Sequence, residues 1–118
     1  MRLGVGCDIE EISRFEKLIN KQEFVRLIYL PDEEKYCLGK SRSQQHFAAI
    51  FCGKEAVIKA LGNLEIDKIG FLDMEISHLP NGCPQVRILK EIGCDLEVKL
   101  SLSHCKTMAM AQATAVIR

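Results

Sequence analysis

No stretch of this chain is both long and apolar enough to cross a bilayer. The longest apolar run, Phe47 to Leu61, is broken by Lys54, Glu55 and Lys59 and falls short of the ~20 residues that a spanning helix needs. An excess of one charge is missing too. Sixteen basic residues balance sixteen acidic ones, so bulk charge holds the chain to neither nucleic acid nor anionic lipid. The opening residues Met1 to Asp8 contain no apolar core segment and no small-residue cleavage site, which leads us to expect an intracellular, cytoplasmic protein without a signal peptide. Internal repeats, linkers and low-complexity tracts are absent. Six cysteines are present (Cys7, Cys37, Cys52, Cys83, Cys94 and Cys105), but no C-x-x-C pair and no neighbouring His cluster. That pattern reads as free thiols serving as small apolar side chains, not as a disulfide framework or a zinc site.

What is present is one globular domain over residues 1–118, with 47% apolar and 27% charged residues and enough chain to bury a core without staples. The first half reads mostly helical and the second mostly extended, the pattern of an α+β fold. Leu3, Val5 and Cys7 alternate with Gly4, Gly6 and Asp8, as in a short first strand. From Ile9 the period changes: Ile12, Phe15 and Ile19 share a helical face, with Glu10 and Glu11 in the first turn. A second helix is expected over Glu23–Leu30, stopped by Pro31, and a short amphipathic one from Pro31 to the Gly39 stop. A long helix should follow the polar Ser41–Gln45 segment and run to Leu61, with Gly62-Asn63 as its end. Phe71–His78 and Gln85–Leu89 flank Pro80-Asn81-Gly82 as a hairpin. Leu96, Val98, Leu100 and Leu102 alternate strictly with Glu97, Lys99, Ser101 and Ser103, a half-buried strand, and Met108–Ile117 closes the chain as an Ala-rich one. The expected architecture is a small, largely antiparallel sheet with the long buried helix and the shorter helices packed on one face.

Chemistry concentrates on the long helix. Apart from Lys54, Glu55 and Lys59 it is apolar or small on every side, so it is buried all round. Glu55 and Lys59, four apart, share a face with Ala48, Phe51 and Cys52. A surface Glu–Lys pair is the ordinary reading of that spacing, but these neighbours are not surface residues, and a carboxylate among them needs a partner or a metal. Asp8, at the end of the first strand, is either a helix N-cap or a second functional carboxylate. Two carboxylates from separate elements suit a hard, oxygen-seeking cation such as Mg²⁺. Arg14, Lys17 and Lys21 fall at i, i+3 and i+7, opposite the apolar face of the first helix, and form either a solvated face or a docking stripe for an acidic partner. His104 closes the segment Ser101-Leu102-Ser103-His104; a lone His there is usually structural.

Gly6-Cys7-Asp8-Ile9-Glu10-Glu11-Ile12-Ser13-Arg14-Phe15 resembles the G-x-D-[IV]-x-x-[IV]-x-R-[FIL] opening of the holo-acyl-carrier-protein synthases, small 4′-phosphopantetheinyl transferases. Phe51-Cys52-Gly53-Lys54-Glu55-Ala56-Val57-Ile58-Lys59-Ala60 resembles their second signature, [FW]-x-x-K-E-A-x-x-K-A, and Leu100 to His104 their S-[IL]-S-H segment. Motif order and separations agree over essentially the whole chain. The resemblance implies transfer of the phosphopantetheine arm of coenzyme A to a serine of acyl carrier protein, leaving adenosine 3′,5′-bisphosphate. It places Asp8 and Glu55 on Mg²⁺, Lys59 on the transferred phosphate, and His104 and Lys54 in the coenzyme A set. Glu55 becomes a candidate for taking the serine proton. It assigns Arg14, Lys17 and Lys21 to the acidic helix of the carrier protein. It also implies a homotrimer with sites at subunit interfaces, in which Asp8 and Glu55 of one site need not share a chain.

Three positions depart from the family pattern. Ile50 stands where a cation is common, Gly62-Asn63-Leu64 replaces Gly-Thr-Gly, and Gly82-Cys83-Pro84 replaces Gly-Lys-Pro. A module that holds carrier protein or coenzyme A without turnover is the alternative. A Glu55→Gln variant separates the two, since an enzyme loses turnover where a binder keeps its affinity.

Overall fold

The computed structural model describes residues 1–118. Ten residues, Arg2–Glu11, form β1; a 3-10 turn, Ile12–Arg14, leads into the one-turn helix α1, Phe15–Leu18. Helices α2 (Gln22–Ile28), α3 (Pro31–Leu38) and α4 (Ser43–Asn63) follow. A second 3-10 turn, Phe71–Asp73, precedes β2 (Met74–His78), β3 (Pro84–Ile88), β4 (Leu96–His104) and β5 (Met108–Ile117). The α+β expectation holds, with the strands divided between two antiparallel sheets: β1-β5-β4 and the hairpin β2-β3. No helix is long and apolar enough to cross a membrane.

The first strand is longer than its alternation indicated. β1 pairs with β5 over its full length, from Arg2↔Ile117 to Glu11↔Met108, and this ladder overrides the helical period that starts at Ile9. Glu10 and Glu11 are therefore strand residues and not a first helical turn. Asp8 lies inside the strand opposite Ala111, which removes the N-cap reading. The hairpin strand likewise starts only at Met74, after the 3-10 turn. Gly82, at φ +90°, supplies the left-handed turn residue that side chains disfavour.

Small residues determine how the layers meet. Ala109, Ala111, Ala113 and Ala115 of β5 are all buried and share one face, which lets the backbone of α4 lie close against the sheet. Gly4 and Gly6 do the same for β1: a Cβ on Gly4 would stand 2.2 Å from the Ala60 carbonyl oxygen, and one on Gly6 2.2 Å from that of Ala56. On the far side of α4, Phe15, Phe47, Ile50, Leu61 and Met74 are sealed in one core, each contributing about 1.5–3 kcal/mol of burial. Helix α4 is thus enclosed between the sheet and the shorter helices, as its uniformly apolar sequence requires. Ile50, where the family often carries a cation, is 1% exposed and belongs to this core.

Candidate active site

Strand periodicity builds the site. Because side chains alternate across a strand, Asp8 and Glu10 point to the same side as Gly4 and Gly6, toward α4. The close contact at Gly6, whose Cβ would also lie 2.8 Å from Lys59 Cβ, places the next inward residue, Asp8, beside the Glu55–Lys59 turn. Lys59 Nζ donates to the Cys7 carbonyl at 2.9 Å and stands 3.4 Å from Asp8 Oδ1. Asp8 is only 11% exposed, whereas Lys59 is 53% exposed. Burial first, and the charge of Asp8 second, raise the Glu55 carboxyl above its ordinary range, with Lys59 opposing. Asp8 and Glu55 of one chain are therefore close enough for the charge of one to act on the other.

The donor set fits a divalent cation. Asp8 Oδ2 is sealed from solvent with no hydrogen-bond partner, an expensive condition for a carboxylate oxygen. Two repelling carboxylates share one lysine. A pair of carboxylates suits an ion such as Mg²⁺, which takes one or two carboxylates and fills its remaining positions with water and substrate phosphates.

Glu10 is a member of this group that the sequence reading passed over by placing it in a helical turn. Its carboxyl is raised by burial, then by Asp8, with Arg14 opposing, and it forms an ion pair with the Arg14 guanidinium. The i, i+2 spacing from Asp8 along a strand was the available signal. Cys52, buried beside Asp8 and Glu10, has its thiol pushed far up and donates to the Ala109 carbonyl at 3.4 Å. It is a packing residue.

Lys54 is a correction. Its side chain is fully buried; Nζ lies 2.6 Å from Glu33 Oε1 and donates to the Ile28 and Phe71 carbonyls at 2.7 Å each. All three ammonium protons are used inside the core, so none reaches coenzyme A. Glu33 completes the network by accepting the Leu30 and Ile76 backbone N–H groups at 2.8 and 2.7 Å. Desolvation lowers the Lys54 amine, and Glu33 opposes that shift.

The remaining candidates lie elsewhere. His104 is exposed at the end of β4, its Nε2 3.0 Å from Gln45 Nε2. Gln45 and Glu55 are about 15 Å apart along the helix axis at 1.5 Å per residue, so one chain does not bring His104 to the carboxylates. A groove of about 590 Å³ opens beside Gln45, with Arg42 and Lys106 but also Glu11 and Glu16 on its walls. Arg14, Lys17 and Lys21 are all exposed but do not form one helix face: Arg14 sits in the 3-10 turn, Lys17 in α1 and Lys21 ahead of α2.

A family model described as the 4′-phosphopantetheinyl transferase superfamily matches residues 4–113. Among sequence relatives, a holo-[acyl-carrier-protein] synthase of Protochlamydia amoebophila (strain UWE25) is 39% identical, covering 96% of this chain and 97% of the relative. One from Chlamydia felis (strain Fe/C-56) is 40% identical, covering 96% of each. Among solved structures, the holo-(acyl-carrier-protein) synthase of Bacillus anthracis str. Ames in complex with CoA (3′,5′-ADP) is 32% identical at a TM-score of 0.78, over 95% of this chain and 94% of that one. The Helicobacter pylori holo-[acyl-carrier-protein] synthase in complex with coenzyme A is 29% identical at a TM-score of 0.78, over 97% and 99%.

Proposed function

The chain belongs to the 4′-phosphopantetheinyl transferase superfamily, and from that membership we propose that it is a holo-[acyl-carrier-protein] synthase. In the reaction, the serine oxygen of an apo acyl carrier protein bonds to the phosphorus of coenzyme A that carries pantetheine. The bond from that phosphorus to the bridging oxygen breaks, 3′,5′-adenosine bisphosphate leaves, and the serine proton is released. The observation that carries this reading is the Asp8–Glu55–Lys59 group at the seam of β1 and α4, where Lys59 Nζ stands 3.4 Å from Asp8 Oδ1.

Asp8 and Glu55 are the residues that would hold Mg²⁺, which when bound offsets the charge of the diphosphate. Lys59, half exposed and anchored by the Cys7 carbonyl, offers its ammonium to the oxygens of the transferred phosphoryl group. Such transfers depend on positioning and charge neutralisation more than on covalent help. Arg42, Lys106 and His104 supply polar and cationic groups for the nucleotide end. Arg14, with Lys17 and Lys21 on the elements that follow, faces solvent as a basic docking edge for an acidic carrier helix.

The outer face of β1 supports self-association. Leu3, Val5 and Ile9 are each 60% exposed, and Met110 beside Ile9 is 44% exposed. A contiguous uncovered apolar sheet face marks an interface. A homotrimer seated on it would let the carboxylate group of one subunit and the His104 end of another complete one site.

Mass spectrometry of apo acyl carrier protein incubated with the chain, coenzyme A and Mg²⁺ tests the function. The carrier should gain one phosphopantetheine arm, and a chelator should prevent it. An unchanged carrier mass with folded protein refutes the assignment.

A further inference from the structure

Arg14 does not stand free. Glu10, projecting from the helix-facing side of β1, is 13% exposed and forms an ion pair with the guanidinium of Arg14, which is 56% exposed. The family signature leaves the position of Glu10 open, so this contact belongs to the present chain and not to the motif. Glu10 also lies close enough to Asp8 and Glu55 for their charges to act on it. It therefore joins the docking edge to the carboxylate group.

Two effects follow for an acidic partner. The positive charge that would attract the partner's carboxylate is already offset at its source. A carboxylate seated on Arg14 would also face Glu10 at close range, and like charges across an interface oppose association. A guanidinium has five donors, so Glu10 does not block Arg14; it sets a cost that an approaching acidic group must overcome.

We propose that Glu10 is a specificity-determining residue that competes with the carrier protein for Arg14, so that only acceptors with a sufficiently acidic docking helix engage the enzyme. This inference rests on the reading of Arg14 as a carrier-docking residue. Glu10 touches neither coenzyme A nor the reacting atoms in this scheme; it acts through Arg14.

The test is equilibrium binding of a fluorescently labelled apo acyl carrier protein without coenzyme A or Mg²⁺, at low and physiological salt. Wild type, Glu10→Gln, Arg14→Ala and the double variant are compared. Glu10→Gln should bind the carrier about two- to five-fold more tightly, the range expected from releasing one partly exposed ion pair, with a steeper loss of affinity as salt rises. Arg14→Ala should weaken binding, and adding Glu10→Gln to it should bring a smaller gain than Glu10→Gln brings alone, because the ion pair is already gone; an equal gain in both backgrounds overturns the competition for Arg14. Unchanged or weaker binding by Glu10→Gln, alongside weakened binding by Arg14→Ala, overturns the competitor role and leaves the docking role standing. Unchanged binding by Arg14→Ala overturns both.

Discussion

Lys59 reaches Asp8 across the seam between α4 and β1, its Nζ 3.4 Å from Asp8 Oδ1 and 2.9 Å from the Cys7 carbonyl. One ammonium thus ties the strand to the helix at the point where two carboxylates, 47 positions apart in the chain (Glu55 against Asp8), come into range. Replacing Lys59 with Met, or Glu55 with Gln, should lower turnover by about a hundredfold or more, the scale seen when one preorganised electrostatic group is removed. Carrier-protein affinity should stay near wild type. Steady-state kinetics with a parallel binding titration separates the two quantities, and parallel loss of both would point to misfolding.

Gly6→Ala should cost stability and activity together. Its Cβ would stand 2.2 Å from the Ala56 carbonyl oxygen and 2.6 Å from the Ala60 nitrogen, backbone atoms of a helix that cannot yield locally. Overpacking of this kind costs about 1–3 kcal/mol or more. Relief requires β1 to move off α4, which carries Asp8 away from Lys59. Urea unfolding reads the first effect, and turnover of the folded protein at low temperature reads the second.

Lys54→Met should destabilise the fold by about 3–5 kcal/mol, because Glu33 is then left charged and buried without its counter-ion. Replacing Glu33 with Leu in the same protein should recover much of that loss. Because all three protons of Lys54 are bound inside the core, coenzyme A affinity of the folded variant should not follow the loss of stability. A fall in that affinity beyond what unfolding explains would return Lys54 to the binding set.

The carboxylate group makes a signed prediction for pH. Glu55 and Glu10 are both raised above their ordinary value of 4.5, so the folded, metal-free protein holds their protons more tightly than the unfolded chain does. Their contribution to stability is fully present below that ordinary value and is lost as pH rises through the elevated values in the folded state. Metal-free protein should therefore gain stability from these groups as pH falls from neutral toward the ordinary carboxylate range. Mg²⁺ should raise the melting temperature at neutral pH, by an increment that shrinks over the same descent. Differential scanning fluorimetry across pH, with and without Mg²⁺, measures both. An increment independent of pH would separate metal binding from these carboxylates.

Much of the fold was legible because its longest elements carry strong periodicity. The alternation of β4 and the all-round apolarity of α4 each pointed to the element that formed. The beginning of the chain was misread at Ile9, because a helix-compatible period of Ile12, Phe15 and Ile19 overlaps a strand whose ladder to β5 can be seen only when both strands are known. That single shift displaced Asp8 from a cap to a strand interior and concealed Glu10. Asp8, Glu55 and Lys59 were visible as motif residues, but their convergence depends on Gly4 and Gly6, which carry no chemistry of their own. Lys54 was placed in the coenzyme A set through the motif it shares with Glu55, whereas its partners Glu33, Ile28 and Phe71 lie outside that motif and come to it only in the fold.

The apolar outer face of β1 predicts an assembly. Val5→Asp places a charge among Leu3, Ile9 and Met110, so sedimentation equilibrium should show a trimer for wild type and smaller species for the variant. Identical mass distributions would remove that face from the interface.

The most direct measurement of the central claim is a calorimetric titration of coenzyme A into the protein, with and without Mg²⁺, for wild type and for the Asp8→Asn/Glu55→Gln double variant. If the two carboxylates hold a divalent ion against the diphosphate, Mg²⁺ tightens coenzyme A binding in wild type and has no such effect in the double variant. The same Mg²⁺ enhancement in both proteins would contradict the account.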